Sequence, residues 1–146
     1  MPALFHRSER SRGFTLVEVL LVLAILGIIS AIAIPSFMGQ RRRARVIGDA
    51  QVNARVIAMA LETRKADNGI YGTAGNIYTW TNGVPSDSTY LPTVYLRNSS
   101  QMNYSITIGA SGLSYTIGVT DRTMGDAPVL STDQTGAITL NTTYNK

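Results

Sequence analysis

Few side chains in this sequence could do chemistry. The 146-residue chain has no cysteine and a single histidine, His6. Disulfides, thiolate zinc sites and cysteine nucleophiles are therefore excluded. Any processing that removes the first dozen residues also removes the Ser-His-Asp, Cys-His and histidine–metal chemistries. What remains is a set of carboxylates. Asp121, Asp126 and Asp133 could gather around a calcium ion, but their spacing follows no D-x-[DN]-x-[DN]-G pattern, and three solvated loop acids are the simpler reading. No metal or other cofactor is expected, and neither is enzyme activity. Asn98-Ser99-Ser100, Asn103-Tyr104-Ser105 and Asn141-Thr142-Thr143 match the glycosylation acceptor, a pattern that Ser/Thr-rich loops often meet by chance. The acid with a chemical question attached is Glu18, which stands against an apolar run. An unpaired carboxylate in hydrocarbon is expensive, so Glu18 either finds a cation or sits at headgroup level.

The elements that must position these groups begin with that run. Val19 to Gln40 is 22 residues without a formal charge, long enough as a helix to cross a bilayer core of about 30 Å. Charge flanks it unevenly. Residues 1–13 carry +2, with Arg7, Arg10 and Arg12 against Glu9, while Arg41, Arg42, Arg43 and Arg45 bring +4 directly after it; from Val46 onward the balance is −1. Basic residues that follow an apolar span read as snorkelling anchors at a membrane boundary. They are not spread over a folded face as nucleic-acid binding requires, so nucleic acid is not expected as a partner. Ala31-Ile32-Ala33 also matches the cleavage pattern of an ordinary secretory signal, which would leave Ile34 as the mature N-terminus.

Residues 13–18 read Gly13-Phe14-Thr15-Leu16-Val17-Glu18. With the short basic leader before them and the apolar run after, they resemble the class III signal of type IV pilins and of the pseudopilins of type II secretion. The resemblance implies that residues 1–13 are a leader, that a prepilin peptidase cuts between Gly13 and Phe14, and that the Phe14 nitrogen is then methylated. Glycine suits such a cut because its backbone can lie extended in a peptidase cleft without a side chain in the way. The cut frees an α-amine that is cationic near neutral pH. By the same resemblance, Glu18 pairs with the Phe14 amine of a neighbouring subunit in a helical filament. Pro35 stands where pilins commonly carry a proline, and the helix there either kinks statically or melts on assembly. Partners implied are copies of the chain itself, the peptidase, and an inner-membrane assembly platform with its ATPase. The precursor would wait in the bacterial inner membrane and end in an extracellular pilus. Three basic residues precede the span and four follow it, so charge alone does not orient it.

The whole is expected to be an α+β protein in the pilin ladle form: a long N-terminal helix packed by its C-terminal half on a small antiparallel sheet. Residues 14–40 form the transmembrane and filament-core part of the helix. Residues 41–66 continue it as an amphipathic half, with Ile47, Ala50, Ala54, Ile57 and Leu61 as its apolar stripe and Arg45, Asp49, Asn53 and Arg55 largely off it. Asp67-Asn68-Gly69 should end it. Residues 67–102 read as a variable loop region in which surface recognition is expected, with a weak strand at Ile77–Trp80 and a turn at Asn82-Gly83. Residues 103–146 read as antiparallel sheet and C-terminal loop, with alternation at Tyr104, Ile106 and Ile108, then at Leu113, Tyr115, Ile117 and Val119. Pro128–Ser131 and Ala137–Leu140 add a further pair of strands. Without cysteines, the C-terminal loop must be held by strand pairing and side-chain packing. The function implied is that of a structural subunit of a type IV pilus, serving adhesion, motility or surface attachment. The alternative is a pseudopilin or minor pilin of a type II secretion or DNA-uptake machine.

Overall fold

The computed structural model describes residues 13–97, 101–141 and 144. Residues 1–12 of the leader expected over 1–13, with His6 and its three arginines, lie outside the described residues, as do the Asn98 acceptor site and Thr142 and Thr143. The chain divides into two compact units, one ending at Gly39 and one running from Gln40 onward. A single helix, α1 (Leu16–Asn68), contributes to both.

In the first unit α1 is apolar on every side, and its described side chains are all exposed. It is the one helix among the described residues long and apolar enough to cross a membrane. Pro35 lies inside it without ending it. A proline offers no N–H to the carbonyl one turn earlier, so one bond is missing from an otherwise continuous ladder.

In the second unit the helix becomes amphipathic. Val46, Ala50, Asn53, Ala54, Ile57 and Leu61 are buried at three- and four-residue spacing. Asn53 departs from its expected place off the stripe: its amide donates to the Tyr104 hydroxyl at 2.7 Å and to the Arg97 carbonyl at 3.2 Å. A polar side chain is tolerated in a core when its buried donors find acceptors, as both N–H groups of this amide do. Helix α1 stops where the sequence signals, at Gly69, whose φ of 78° only glycine adopts readily and whose N–H reaches the Lys65 carbonyl at 2.8 Å.

Six antiparallel strands follow: β1 (Ile77–Thr81), β2 (Val84–Pro85), β3 (Met102–Ile108), β4 (Tyr115–Asp121), β5 (Ala127–Asp133) and β6 (Ile138–Leu140), in the order β2-β1-β3-β4-β5-β6. Both edges are short. Asn82 (φ 55°) and Gly83 (φ 77°) make the β1–β2 turn, as two left-handed residues in a tight hairpin should. Met102, Tyr104, Ile106 and Ile108 on β3 alternate with exposed or half-buried residues, as do Tyr115, Ile117, Val119 and Asp121 on β4. All of these but Asp121 join the apolar residues of the α1 stripe in one core. Leu113 does not belong to β4: it is half exposed, because the loop closes on itself first, through Gly109 N–H to Ser114 O and Gly112 N–H to Gly109 O, both 2.9 Å.

The segment read as variable loop contributes more to the interior than its composition promised. Tyr71, Trp80, Tyr90, Leu91, Val94 and Leu96 are all buried in the core. Tyr71 returns to α1, donating to Glu62 at 2.8 Å and receiving Lys65 Nζ at 3.3 Å, and Tyr90 stacks on Tyr78 while donating to the Tyr71 carbonyl at 2.7 Å.

Candidate functional site

The residues singled out at the N-terminus form one local arrangement. Gly13 is exposed, and a Cβ built on it would meet nothing within 4 Å. No contact among the described residues therefore requires glycine here. Phe14 is 88% exposed. Thr15 and Glu18 then close the start of α1 on each other. Glu18 Oε2 accepts from the Thr15 N–H and from the Thr15 hydroxyl, both at 2.8 Å, and Thr15 Oγ accepts from the Glu18 N–H at 3.3 Å. This is a capping box, which satisfies backbone donors that a helix start leaves orphaned. Its signal, threonine followed three residues later by glutamate, is present in the sequence, and reading Glu18 only as an intersubunit acid passes over it. In the uncut chain the Phe14 nitrogen is part of a peptide bond, so the cation expected for Glu18 comes into being only after cleavage.

The loop acids are not brought together. Asp126, with φ 57°, accepts from the Asn103 amide at 2.9 Å, so that Asn103, read as an acceptor site, is tied down on β3. Asp133 accepts from the Thr135 N–H and hydroxyl at 2.9 and 2.5 Å. Among the described residues no group of three His, Cys, Asp or Glu is placed to hold a metal ion.

Asp121 is not a solvated loop acid at all. It ends β4 with its side chain fully buried and gathers three parts of the second unit. Its Oδ1 accepts from the Thr123 N–H at 2.8 Å and the Thr123 hydroxyl at 2.6 Å, capping the 3-10 turn Arg122–Met124. Its Oδ2 accepts from the Tyr144 hydroxyl at 2.7 Å and from Arg42 of α1 at 3.4 Å. Arg42 also reaches the Thr123 hydroxyl. Burial works against charge on Asp121, but the Thr123 and Tyr144 bonds and the Arg42 guanidinium outweigh it and hold the carboxyl below its ordinary value. Burial and the adjacent carboxylate push the Tyr144 phenol up to about 12, so it stays a donor at all physiological pH. A buried tyrosine–aspartate bond thus pins the C-terminal segment, in addition to strand pairing and packing. Extending the alternation of Tyr115, Ile117 and Val119 by two residues places Asp121 inward, but two of its partners, Arg42 and Tyr144, lie 79 residues before and 23 after it.

Comparison with known proteins fits the N-terminal geometry. Residues 9–34 match the family model described as the prokaryotic N-terminal methylation motif. The type II secretion system core protein G of Klebsiella pneumoniae is 36% identical over 70 residues, covering 44% of this chain and 46% of that protein. The type IV major pilin protein PilA of Myxococcus xanthus is 36% identical over 69 residues, covering 47% and 31%. The type IV major fimbrial protein FimA of Dichelobacter nodosus is 35% identical over 81 residues, covering 53% and 51%. The chain spans about half the length of these curated relatives, or less. No solved structure matches. A methylation motif, an apolar N-terminal helix and an antiparallel sheet behind it make the chain similar, over its N-terminal half, to type IV pilins and type II secretion pseudopilins, with a pilin-like α+β architecture.

Proposed function

We propose that the chain is the structural subunit of a type IV pilus, cut between Gly13 and Phe14, methylated on Phe14, and assembled by burying residues 14–40 against copies of itself. The observation that carries this reading is the helix of the first unit, whose apolar side chains have no cover among the described residues. Such a surface needs lipid before assembly and other helices afterwards. Moving it from lipid to a helical bundle gains little from water exclusion, since both surroundings are apolar, so packing and polar pairing must supply the specificity. Glu18 is the pairing group. After cleavage it sits four residues from a new ammonium, and in a dry filament core a slipped register would strand both charges, at about 3–5 kcal/mol for each broken pair. The prepilin peptidase and an assembly platform with its ATPase are the partners this route requires, with the inner membrane as the waiting place and the cell surface as the destination.

The relatives named core protein G of type II secretion favour a second reading, a pseudopilin of a secretion machine. Mass spectrometry of purified material tests the shared part: the chain should begin at Phe14 and be heavier by one methyl group, and one beginning at Ile34 or retaining residues 1–13 would refute it. Deleting the gene then separates the two readings. Loss of surface fibres supports the pilus; intact fibres with a secretion defect support the pseudopilin.

A further inference from the structure

Four arginines, Arg41, Arg42, Arg43 and Arg45, stand within five residues of α1, and all four are exposed. From Val46 onward the chain is nearly balanced, with six Lys and Arg against seven Asp and Glu. Arg41 and Arg45 lie one helical turn apart, a like-charge spacing that destabilises a helix unless anions attend it. Arg42 is served from within its own unit: it reaches Asp121 at 3.4 Å and the Thr123 hydroxyl. Arg43 and Arg45 make no hydrogen bond or ion pair among the described residues. Both of these guanidinium groups are therefore open to an anion from elsewhere.

The place of the run says which anion. Val19–Gln40 carries no formal charge, and α1 continues from it without a break to Asn68. The polar layer on each side of a bilayer core is about 5–7 Å deep. Five helical residues rise about 7.5 Å, so residues 41–45 occupy that layer when 19–40 occupy the hydrocarbon. The next residue, Val46, is already the first of the helix to be buried in the core. Helix geometry also favours lipid over a protein docked from one side. At about 100° per residue the four arginines spread over about 200° of the circumference, more than one flat partner covers. Helical side chains tilt toward the N-terminus, which here is the side of the uncharged stretch. A guanidinium presents paired N–H groups that match two oxygens of one phosphate. The match is best where no ammonium on the same headgroup competes for those oxygens.

We propose that Arg43 and Arg45 bind the phosphates of anionic phospholipids, so that the chain gathers such lipids around its helix where it leaves the bilayer. This deepens the membrane stage of the function proposed above and rests on it. The test places the full-length chain in phosphatidylcholine vesicles with traces of spin-labelled phosphatidylglycerol or spin-labelled phosphatidylcholine. Electron paramagnetic resonance then gives the motionally restricted share of each lipid, and the ratio of the two is the preference. It should favour phosphatidylglycerol about threefold or more at low salt and fall toward one in about 1 M NaCl. Replacing both residues, Arg43→Gln with Arg45→Gln, should bring the ratio close to one at low salt. Arg55→Gln, an exposed arginine four turns further along α1, should leave it unchanged. An unchanged melting temperature shows that the variants are folded. Equal restriction of the two lipids in the parent overturns the proposal, as does a preference that survives the double replacement or falls equally with Arg55→Gln. A preference abolished by about 10 mM inorganic phosphate at constant ionic strength also overturns it, because the site then takes free anions. A chain that enters no bilayer, shown by its release in alkaline carbonate, overturns the function proposed above along with this inference; insertion without lipid preference overturns this inference alone.

Discussion

Replacing Asp121 by Asn keeps the side-chain shape and removes the charge that Tyr144, Thr123 and Arg42 address. Arg42 is half exposed, so its pair at 3.4 Å contributes modestly; the buried Tyr144 and Thr123 bonds supply most of the loss. Urea unfolding should show Asp121→Asn destabilised by about 2–3 kcal/mol and Tyr144→Phe by about 1 kcal/mol. The pH dependence follows from the sign of the shift. Asp121 is more acidic folded than unfolded, so its contribution is fully present above about pH 4, the unfolded value, and is lost as pH falls through the folded value. Asp87 and Asp133 are depressed in the same direction by the Thr89 and Thr135 bonds, so the Asn variant should keep a reduced acid slope and not lose it entirely. Equal acid slopes in variant and parent would show that Asp121 is not the group responsible. The inward direction of Asp121 follows from the β4 alternation, but its partners Arg42 and Tyr144 were not readable in advance. The strand alternation that placed Ile117 and Val119 inward is local, whereas the reason for burying an acid two residues later lies in side chains distant in sequence.

At the scale of the helix, one carboxylate carries an observed role, the cap, and a proposed one, the intersubunit pair, and a conservative variant separates them. Glutamine at the same position can still complete a capping box, since either side chain reaches back to the cap. Glu18→Gln should therefore insert in membranes with unchanged helix content, yet yield tenfold fewer filaments or less, because a neutral amide leaves the neighbouring ammonium unpaired. Filament numbers equal to the parent's would make Glu18 a cap and nothing more. Pro35→Ala restores the missing ladder bond, and hydrogen exchange in micelles should slow by about tenfold at the amides flanking residue 35. Element boundaries were largely legible: the apolar run, the Gly69 stop and the Asn82-Gly83 turn each follow from local chemistry. Asn53 and the Leu113 loop were not, because a polar residue's burial and a strand's true start depend on which partners the rest of the chain presents.

At the scale of the molecule, every buried core residue belongs to the unit from Gln40 onward. A chain beginning at Gln40 should fold by itself, unfold cooperatively and sediment as a monomer; aggregation or loss of the cooperative transition would mean that the apolar segment is needed for folding as well as for assembly. The division of labour also bears on the sheet. Its outermost strands are the two-residue β2, which contains Pro85, and the three-residue β6. A proline withholds a ladder donor, and strands this brief give an incoming chain little to zip onto. For the filament subunit proposed above, this protects against the wrong polymer. Amyloid-like accretion through its β-rims is discouraged, and growth through the helix, as proposed, meets no competitor there.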